Sequence, residues 1–369
     1  MTIFDMPKQY YRGTRLMSPI SKKLPRLISR QELARVGLLI TLLVFLPGTG
    51  LAKNYKIATV SPDGLSWMKK FRTAIKEIET QTEGRVKFKI YPGGVMGDDY
   101  TVLRKMRVGQ LHGGAFAAGS LTRFYPDLQI YNLPFQFQSF DEVDYVRERM
   151  DRRIVDGLEG GGLNSFSLTE TGFAYLMSKE PVTGVEDLQK LKAWVPDGDP
   201  ISADLIKSFG ISPIPLSITD VLPGLQTGLI NAVAVPPIVA LALQWHNHVK
   251  YMMDMPLIYI YSLVAMDKKV FSRISEPDRK IVYKVMNVLF NEIDVDNRRD
   301  NKKAYSAIVA QGIKVTSPGQ GEIPAWRAMA DRSIDDLVKS GQISNESLDL
   351  YNGFLKEFRQ QASGSEPGD

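Results

Sequence analysis

The sequence predicts an α/β protein built as two lobes. At 369 residues the chain is longer than one hydrophobic core usually serves. Strand-like and helix-like segments alternate along most of it. No Gly or Pro occurs between Pro277 and Gly312. As one helix this stretch would measure about 50 Å at ~1.5 Å per residue, enough to link both lobes.

The elements follow from local pattern. Tyr55 to Val60 reads as a first strand, turned by Pro62-Asp63-Gly64. Met68, Phe71, Ile75 and Ile78 mark one face of a helix, and Val86 to Ile90 alternates as a second strand. Strand–helix–strand order favours a parallel pair with a right-handed crossover. Ligands of such sheets sit beyond the carboxyl ends of the strands, where the loops Ser61–Trp67, Tyr91–Gly97 and Ser120–Pro126 are expected to converge. Leu103, Met106 and Gln110 have helical spacing. A small-residue run, Gly113 to Gly119, leads to the aromatic loop Phe124-Tyr125-Pro126. Val143, Val146 and Met150 give the stripe of a helix over 141–150.

Beyond the Gly160-Gly161-Gly162 turn, Asn164 to Leu168 reads as a strand and Phe173 to Met177 as an apolar run. Ala193 to Val195 is a short strand stopped by Pro196. Ile201–Phe209 and Val221–Leu229 fit helices ended by Gly210 and Gly228, and Ile230 to Val235 is a compact strand. Trp245, His246 and His248 fall past the Pro236-Pro237 break, on a predicted helix. Ser275-Glu276-Pro277-Asp278 supplies a helix start, with Ser as N-cap and acids in the first turn. The apolar positions Ile334, Leu337 and Val338, then Leu348, Tyr351, Leu355 and Phe358, give two further helices. These elements divide the chain into a leader, 1–52; lobe I, 53–171, completed by about 258–298; lobe II, 172–257, completed by about 299–362; and a disordered polar tail, 363–369.

Charge is unevenly placed. The net +5 comes from the first 52 residues, which hold eight Lys or Arg against two acids. The remaining 38 basic and 39 acidic residues leave a near-neutral body, with no footprint for nucleic acid. The leader resembles a secretory signal peptide. A basic region ends at Arg35, Val36 to Leu46 is an apolar run, and Gly50-Leu51-Ala52 offers a cleavage site. That run is shorter than the roughly 20 apolar residues of a membrane span. A periplasmic location is therefore expected.

Catalytic chemistry finds little to work with. There is no Cys, which excludes disulfides and thiolate metal sites, and only His112, His246 and His248. His246 and His248, two apart, do not share a helix face, so no metal pair is expected. The Gly160 turn lacks the Lys-Ser/Thr ending of a phosphate loop, and no Gly-x-Ser-x-Gly elbow occurs. The paired acids Asp98-Asp99 start a helix, and Asp335-Asp336 fall on a solvated face. No enzyme activity, cofactor or metal is expected.

The body resembles the periplasmic solute-binding receptors of tripartite ATP-independent periplasmic (TRAP) transporters, in the dicarboxylate-receptor branch. The resemblance is carried by Tyr91-Pro92-Gly93-Gly94-Val95-Met96-Gly97, Leu103 to Leu111 and Leu133-Pro134-Phe135-Gln136-Phe137. Pro181-Val182, Glu186-Asp187-Leu188 ahead of Leu191-Lys192, and Leu225-Gln226-Thr227-Gly228 add to it. It implies a two-lobed periplasmic-binding-protein-like fold with a long inter-lobe helix. It also implies a receptor that closes on a small organic solute and delivers it to two integral-membrane subunits, one small and one large, driven by an ion gradient.

The resemblance also implies an arginine that clamps the solute carboxylate, two residues past the Leu-Lys pair. A planar guanidinium suits that task because it donates two parallel hydrogen bonds. Here that position is Trp194, and the second basic position is Ala174. The later polar motif reads Asn231-Ala232-Val233-Ala234-Val235-Pro236. An unpaired carboxylate in such a site costs several kcal/mol, so the cleft is expected to favour an apolar or aromatic solute over a dicarboxylate. Trp194 is placed to cover a ring or chain or to take a cation over its indole. The expected ligand-binding residues are Trp67, Phe124, Tyr125, Ala174, Trp194, Asn231, Val235 and Pro236. A sensor or scavenger of the same fold is the alternative function, and genes for two adjacent membrane subunits would distinguish the two.

Overall fold

The computed structural model describes residues 53–364; the leader 1–52 and the end of the tail lie outside the described residues. Strand β1 (Lys53–Ala58), helix α1 (Ser66–Gln81) and strand β2 (Val86–Tyr91) come first. β1 and β2 pair in parallel, Ile57 opposite Ile90, as the crossover rule requires. α1 buries Met68, Phe71, Ala74 and Ile78, with Ile75 at the margin of the stripe. Helix α2 (Asp99–Arg107) starts where the Asp98 carboxylate accepts the Thr101 N–H at 2.8 Å. Strand β3 (Gly113–Ala117) is parallel to β1. Its small residues answer crowding, because a Cβ at Gly113 would lie 2.5 Å from the Ala265 carbonyl oxygen. Helix α3 (Phe140–Gly160) begins with a reciprocal cap: Ser139 Oγ accepts the Glu142 N–H, and the Glu142 carboxylate accepts the Gln138 N–H.

The second group comprises β4 (Leu163–Ser165), β5 (Thr169–Ser178), α4 (Val185–Leu188), β6 (Lys192–Pro196) and α5 (Pro200–Ser208). It continues with β7 (Ser212–Leu216), α6 (Val221–Thr227), β8 (Ala232–Val235) and α7 (Pro237–Ala242). The chain then returns through the 17-residue strand β9 (Tyr251–Asp267), α8 (Lys268–Phe271), α9 (Glu276–Ala310), β10 (Lys314–Thr316), α10 (Glu322–Lys339) and α11 (Asn345–Gly364). Among the described residues the strands form one sheet, ordered β2-β1-β3-β9-β5-β8-β6-β7, with β4 and β10 also on β9. β9 is antiparallel to β3, β4 and β5, so it joins the two wings.

The 35-residue α9 is the predicted long helix, and Ser275 Oγ accepts the Asp278 N–H as its N-cap. Its first half buries Val282, Met286, Leu289 and Phe290 in the core beside α1, and its second half buries Ile308 beside α7. Between them its side chains complete a strand edge. Asp294 accepts the Glu170 N–H, Asn297 donates to the Glu170 carbonyl, and Asn301 donates to the Thr171 carbonyl at 2.7 Å.

Several expectations need correction. The strand expected over Asn164–Leu168 is cut to β4, and the chain re-pairs as β5 from Thr169. Trp245–His248 is a single 3₁₀ turn rather than a helix. β9 and β7 were not anticipated. The α11 helix, expected to complete lobe II, packs instead on α3. Arg359 Nε meets Glu142 Oε1 at 2.7 Å, and Arg153 meets Glu346 at 2.8 Å. α11 also extends through Gly364, into the segment read as a tail.

Candidate functional site

A cavity of about 440 Å³ lies between the two wings of the sheet. One wall carries Trp67, the start of α2 from Asp98 to Tyr100, and the end of β3 through Ser120. The opposite wall carries Trp194 to Asp197, Asp199, Leu216 to Ile218 and Val233 to Pro236. Thr169 to Thr171 of β5 and Ile258, Ile260 and Ser262 of β9 also line it. This is the carboxyl edge of β1, β3, β6 and β8, where loop ends can converge.

Two hydrogen bonds cross from wall to wall. Tyr100 Oη donates to the Gly198 carbonyl at 2.7 Å, and Gln129 Nε2 donates to Asp199 Oδ1 at 2.8 Å. Glycines permit both approaches. A Cβ at Gly198, where φ is +75°, would sit 2.9 Å from the Tyr100 ring, and one at Gly119 would sit 2.4 Å from Asp199 Oδ2.

Among the described residues no Lys, Arg or His lines the cavity, but five carboxylates do: Asp98, Asp99, Glu170, Asp197 and Asp199. Asp98 and Asp199 are N-caps, and donors from Thr101 hold the Asp98 carboxyl below the usual range despite its burial. Asp99 sits at the first position of α2. Its Oδ2 accepts from the Ala117 N–H at 3.1 Å and from Ser120 Oγ at 2.7 Å, and its Oδ1 has no protein donor. Burial pushes this carboxyl up to about 6, with the two donors and the helix N-terminus opposing.

Glu170 is fully buried behind the β5 backbone. Its Oε2 takes the Arg298 fork at 2.9 and 2.8 Å and the Tyr259 hydroxyl at 3.3 Å, while Oε1 has no partner. Burial pushes its carboxyl up, against the pull of Arg298. Beside it, Arg147 meets Asp294 at 2.7 Å and donates to Asp151 and the Leu168 carbonyl. The network ties α3, β5 and α9 together at the junction of the wings.

Of the predicted site residues, Trp67, Trp194, Val235 and Pro236 line the cavity. Trp194 is half-buried, donates Nε1–H to the Leu216 carbonyl at 2.9 Å and packs edge-on against Trp245 at 5.2 Å. The structure does not bring the other four there. The Phe124 carbonyl and the Tyr125 ring lie against Gly161 and Gly157 of α3 and its C-cap. Ala174 is fully buried opposite Ile258 in the β5–β9 ladder. Asn231 accepts the Lys192 N–H at 2.7 Å and so serves the backbone before β8. Sequence reasoning missed Asp99, Tyr100 and Asp199 as wall residues. Their signal was positional, since each stands at a helix start directly after a strand-end loop. Among the described residues no cluster of His, Cys, Asp or Glu could hold a metal ion, and no helix is long and apolar enough to cross a membrane.

Comparison with known proteins places this geometry. The family model for bacterial extracellular solute-binding protein, family 7, matches residues 57–340. The sialic acid-binding periplasmic protein SiaP of Vibrio cholerae is 22% identical over 246 residues, covering 65% of this chain and 75% of SiaP. A TRAP periplasmic solute binding protein from Desulfovibrio salexigens, solved with orotic acid, superposes with a TM-score of 0.75 at 17% identity, covering 83% of this chain and 99% of that one. Another from Haemophilus influenzae, solved with L-gulonate, gives a TM-score of 0.76 at 17% identity over 82% and 99% of the two chains. At these identities the structures show the two-lobed α/β fold.

Proposed function

The chain belongs to bacterial extracellular solute-binding protein family 7, and we propose that it is the periplasmic capture receptor of a TRAP-type transporter, exported by a cleaved leader over residues 1–52. It takes up a small organic solute and presents it to one small and one large membrane subunit. The observation that carries this reading is the cavity between two walls that already touch at Tyr100–Gly198 and Gln129–Asp199. A solute bridging both walls binds the closed form more tightly than the open one, which is the differential affinity that closure needs.

The solute differs from those in the names of the relatives. Sialic acid and L-gulonate carry a carboxylate, and this lining offers no Lys, Arg or His to answer one. Trp194 stands at the clamp position, with Val235 and Pro236 beside it on the same wall. A largely apolar or aromatic body suits this wall. Native mass spectrometry of the purified protein, with calorimetric titration of succinate and D-glucuronate, tests the reading. A retained apolar or aromatic solute and no tight binding of either acid are expected. Micromolar binding of succinate would overturn the apolar assignment.

A further inference from the structure

We propose, resting on the receptor reading above, that the solute carries a positive charge: an organic ammonium head on an apolar body, with Asp99 as the acceptor of its N–H groups. Among the described residues the cavity is lined by five carboxylates and no cationic side chain. Most of the five are already answered. Glu170 is charge-paired through Oε2 with Arg298, leaving only its Oε1 free, Asp98 and Asp199 cap helices, and Asp197 is exposed. Asp99 is not. Both of its donors converge on Oδ2, which leaves Oδ1 without one.

A second observation points the same way. Thr169, only 9% exposed, has a buried Oγ1 with no partner, and so does Oδ1 of Asn132; both residues line the cavity. Thr169 lies opposite Ser262 in the β5–β9 register and so shares its face of the sheet, and Ser262 also lines the cavity. Unanswered buried acceptors cost free energy until a donor arrives. Glu170 Oε1 is a further lining acceptor without a partner, the Thr169 hydroxyl can act either way, and Trp326 Nε1 is the one buried group among the lining residues that can only donate and is left without a partner. Acceptors therefore outnumber donors, and an ammonium, with donors and no acceptor, matches that balance. The high carboxyl of Asp99 agrees, because a buried carboxylate with no cation is held up until one comes. The half-buried rings of Trp67, Tyr100 and Trp194 suit the rest of such a molecule and can also face a cation. An anionic head would meet the same carboxylates with no counter-charge.

The test uses three probes with one phenylpropyl body: 3-phenylpropylammonium, 3-phenylpropanol and 4-phenylbutyrate. Affinity is read by calorimetry on the full-length mature protein, and closure by small-angle scattering. The ammonium is expected to bind at least about tenfold tighter than the alcohol, equivalent to ~1.4 kcal/mol, and the carboxylate not at all. Asp99→Asn keeps an oxygen acceptor for Ala117 and Ser120. It is expected to lower ammonium affinity about tenfold or more and leave the alcohol unchanged. Equal or tighter binding of the carboxylate overturns the proposal, as does an Asp99→Asn loss shared by ammonium and alcohol. Binding of none of the three also overturns it, unless native mass spectrometry finds a cationic solute already bound, which supports it. A carboxylate that binds and compacts the protein removes the cation and leaves the receptor standing. A solute of any charge that binds without compaction removes the receptor reading itself.

Discussion

Tyr100 and Gly198 meet across the mouth of the cavity, the phenol donating to the glycine carbonyl at 2.7 Å. In the receptor reading proposed above, this contact forms as the walls close. Tyr100→Phe removes one hydrogen bond worth about 0.5–1.5 kcal/mol. Solute affinity should fall by up to roughly tenfold, and calorimetry with the retained solute checks this. Gly198→Ala should do more harm, because it adds a Cβ 2.9 Å from the ring at a φ of +75°. Equal affinity for both variants and the parent would show that the two walls do not need this latch.

Removing one partner of the Glu170–Arg298 pair should unfold the protein more readily than any surface change. Arg298→Met leaves a fully buried carboxylate with only the Tyr259 hydroxyl, a loss of about 3–5 kcal/mol near pH 8. The loss should shrink toward pH 5. Burial already holds this carboxyl above its ordinary value, and without Arg298 it rises further. The folded variant then keeps a proton that the unfolded chain releases, and stability falls as pH rises through the folded value. Urea titrations at pH 5 and 8 measure both effects.

Asp99 gives a pH signature of its own. Its folded carboxyl stands at about 6 against an ordinary 3.8, so between those values the folded protein holds a proton that the unfolded chain has lost. This group's contribution to stability is therefore complete below about pH 4 and declines as pH rises toward 6 and beyond. Asp99→Asn cannot titrate. Its Tm should match the parent near pH 4 and exceed it by about 4–5 °C at pH 7, on the usual scale of Tm per kcal/mol. A gap independent of pH would show that Asp99 is not held protonated by burial.

The three consecutive glycines that end α3 should respond differently to Ala. At Gly160 nothing lies within 4 Å of an added Cβ, so Gly160→Ala should be neutral or slightly stabilising. At Gly161 the Cβ would fall 2.1 Å from the Phe124 carbonyl oxygen. That is a clash with backbone and should cost about 1–3 kcal/mol or more. Gly162, at φ +97°, should lose about 1–2 kcal/mol through strain alone. Thermal melts of the three variants give the order directly.

The sequence displayed those parts of the fold in which one face is buried and one is wet. The stripe of α1, the capped start of α9 at Ser275 and the αL stop of α6 at Gly228 were legible for that reason. β9 was not, because Tyr259 and Tyr261 face one core while Ile258, Ile260 and Ser262 face the cavity. Covered on both sides, it shows little alternation, and Pro256 sits inside it at a register shift. β7 was hidden by Pro213 and Pro215. In the site, Trp67 and Trp194 could be placed from their loops and from the resemblance. Phe124 and Tyr125 could not, because Gly161 and Gly157 draw that loop against α3. Asp99 read as an ordinary helix start, and its role depends on Ala117 and Ser120, which only the fold brings beside it.

The prolines of β7 have a consequence for the molecule in company. Among the described residues the strand pairs only with β6, and the Leu216 carbonyl, which accepts from Asp197, turns the even-numbered residues inward. The outward row therefore falls to Pro213 and Pro215, which have no N–H to offer. A neighbouring chain seeking to extend the sheet finds too few donors to dock against. The open margin thus protects the molecule from polymerising, and replacing both prolines would turn a crowded solution of it toward fibrils.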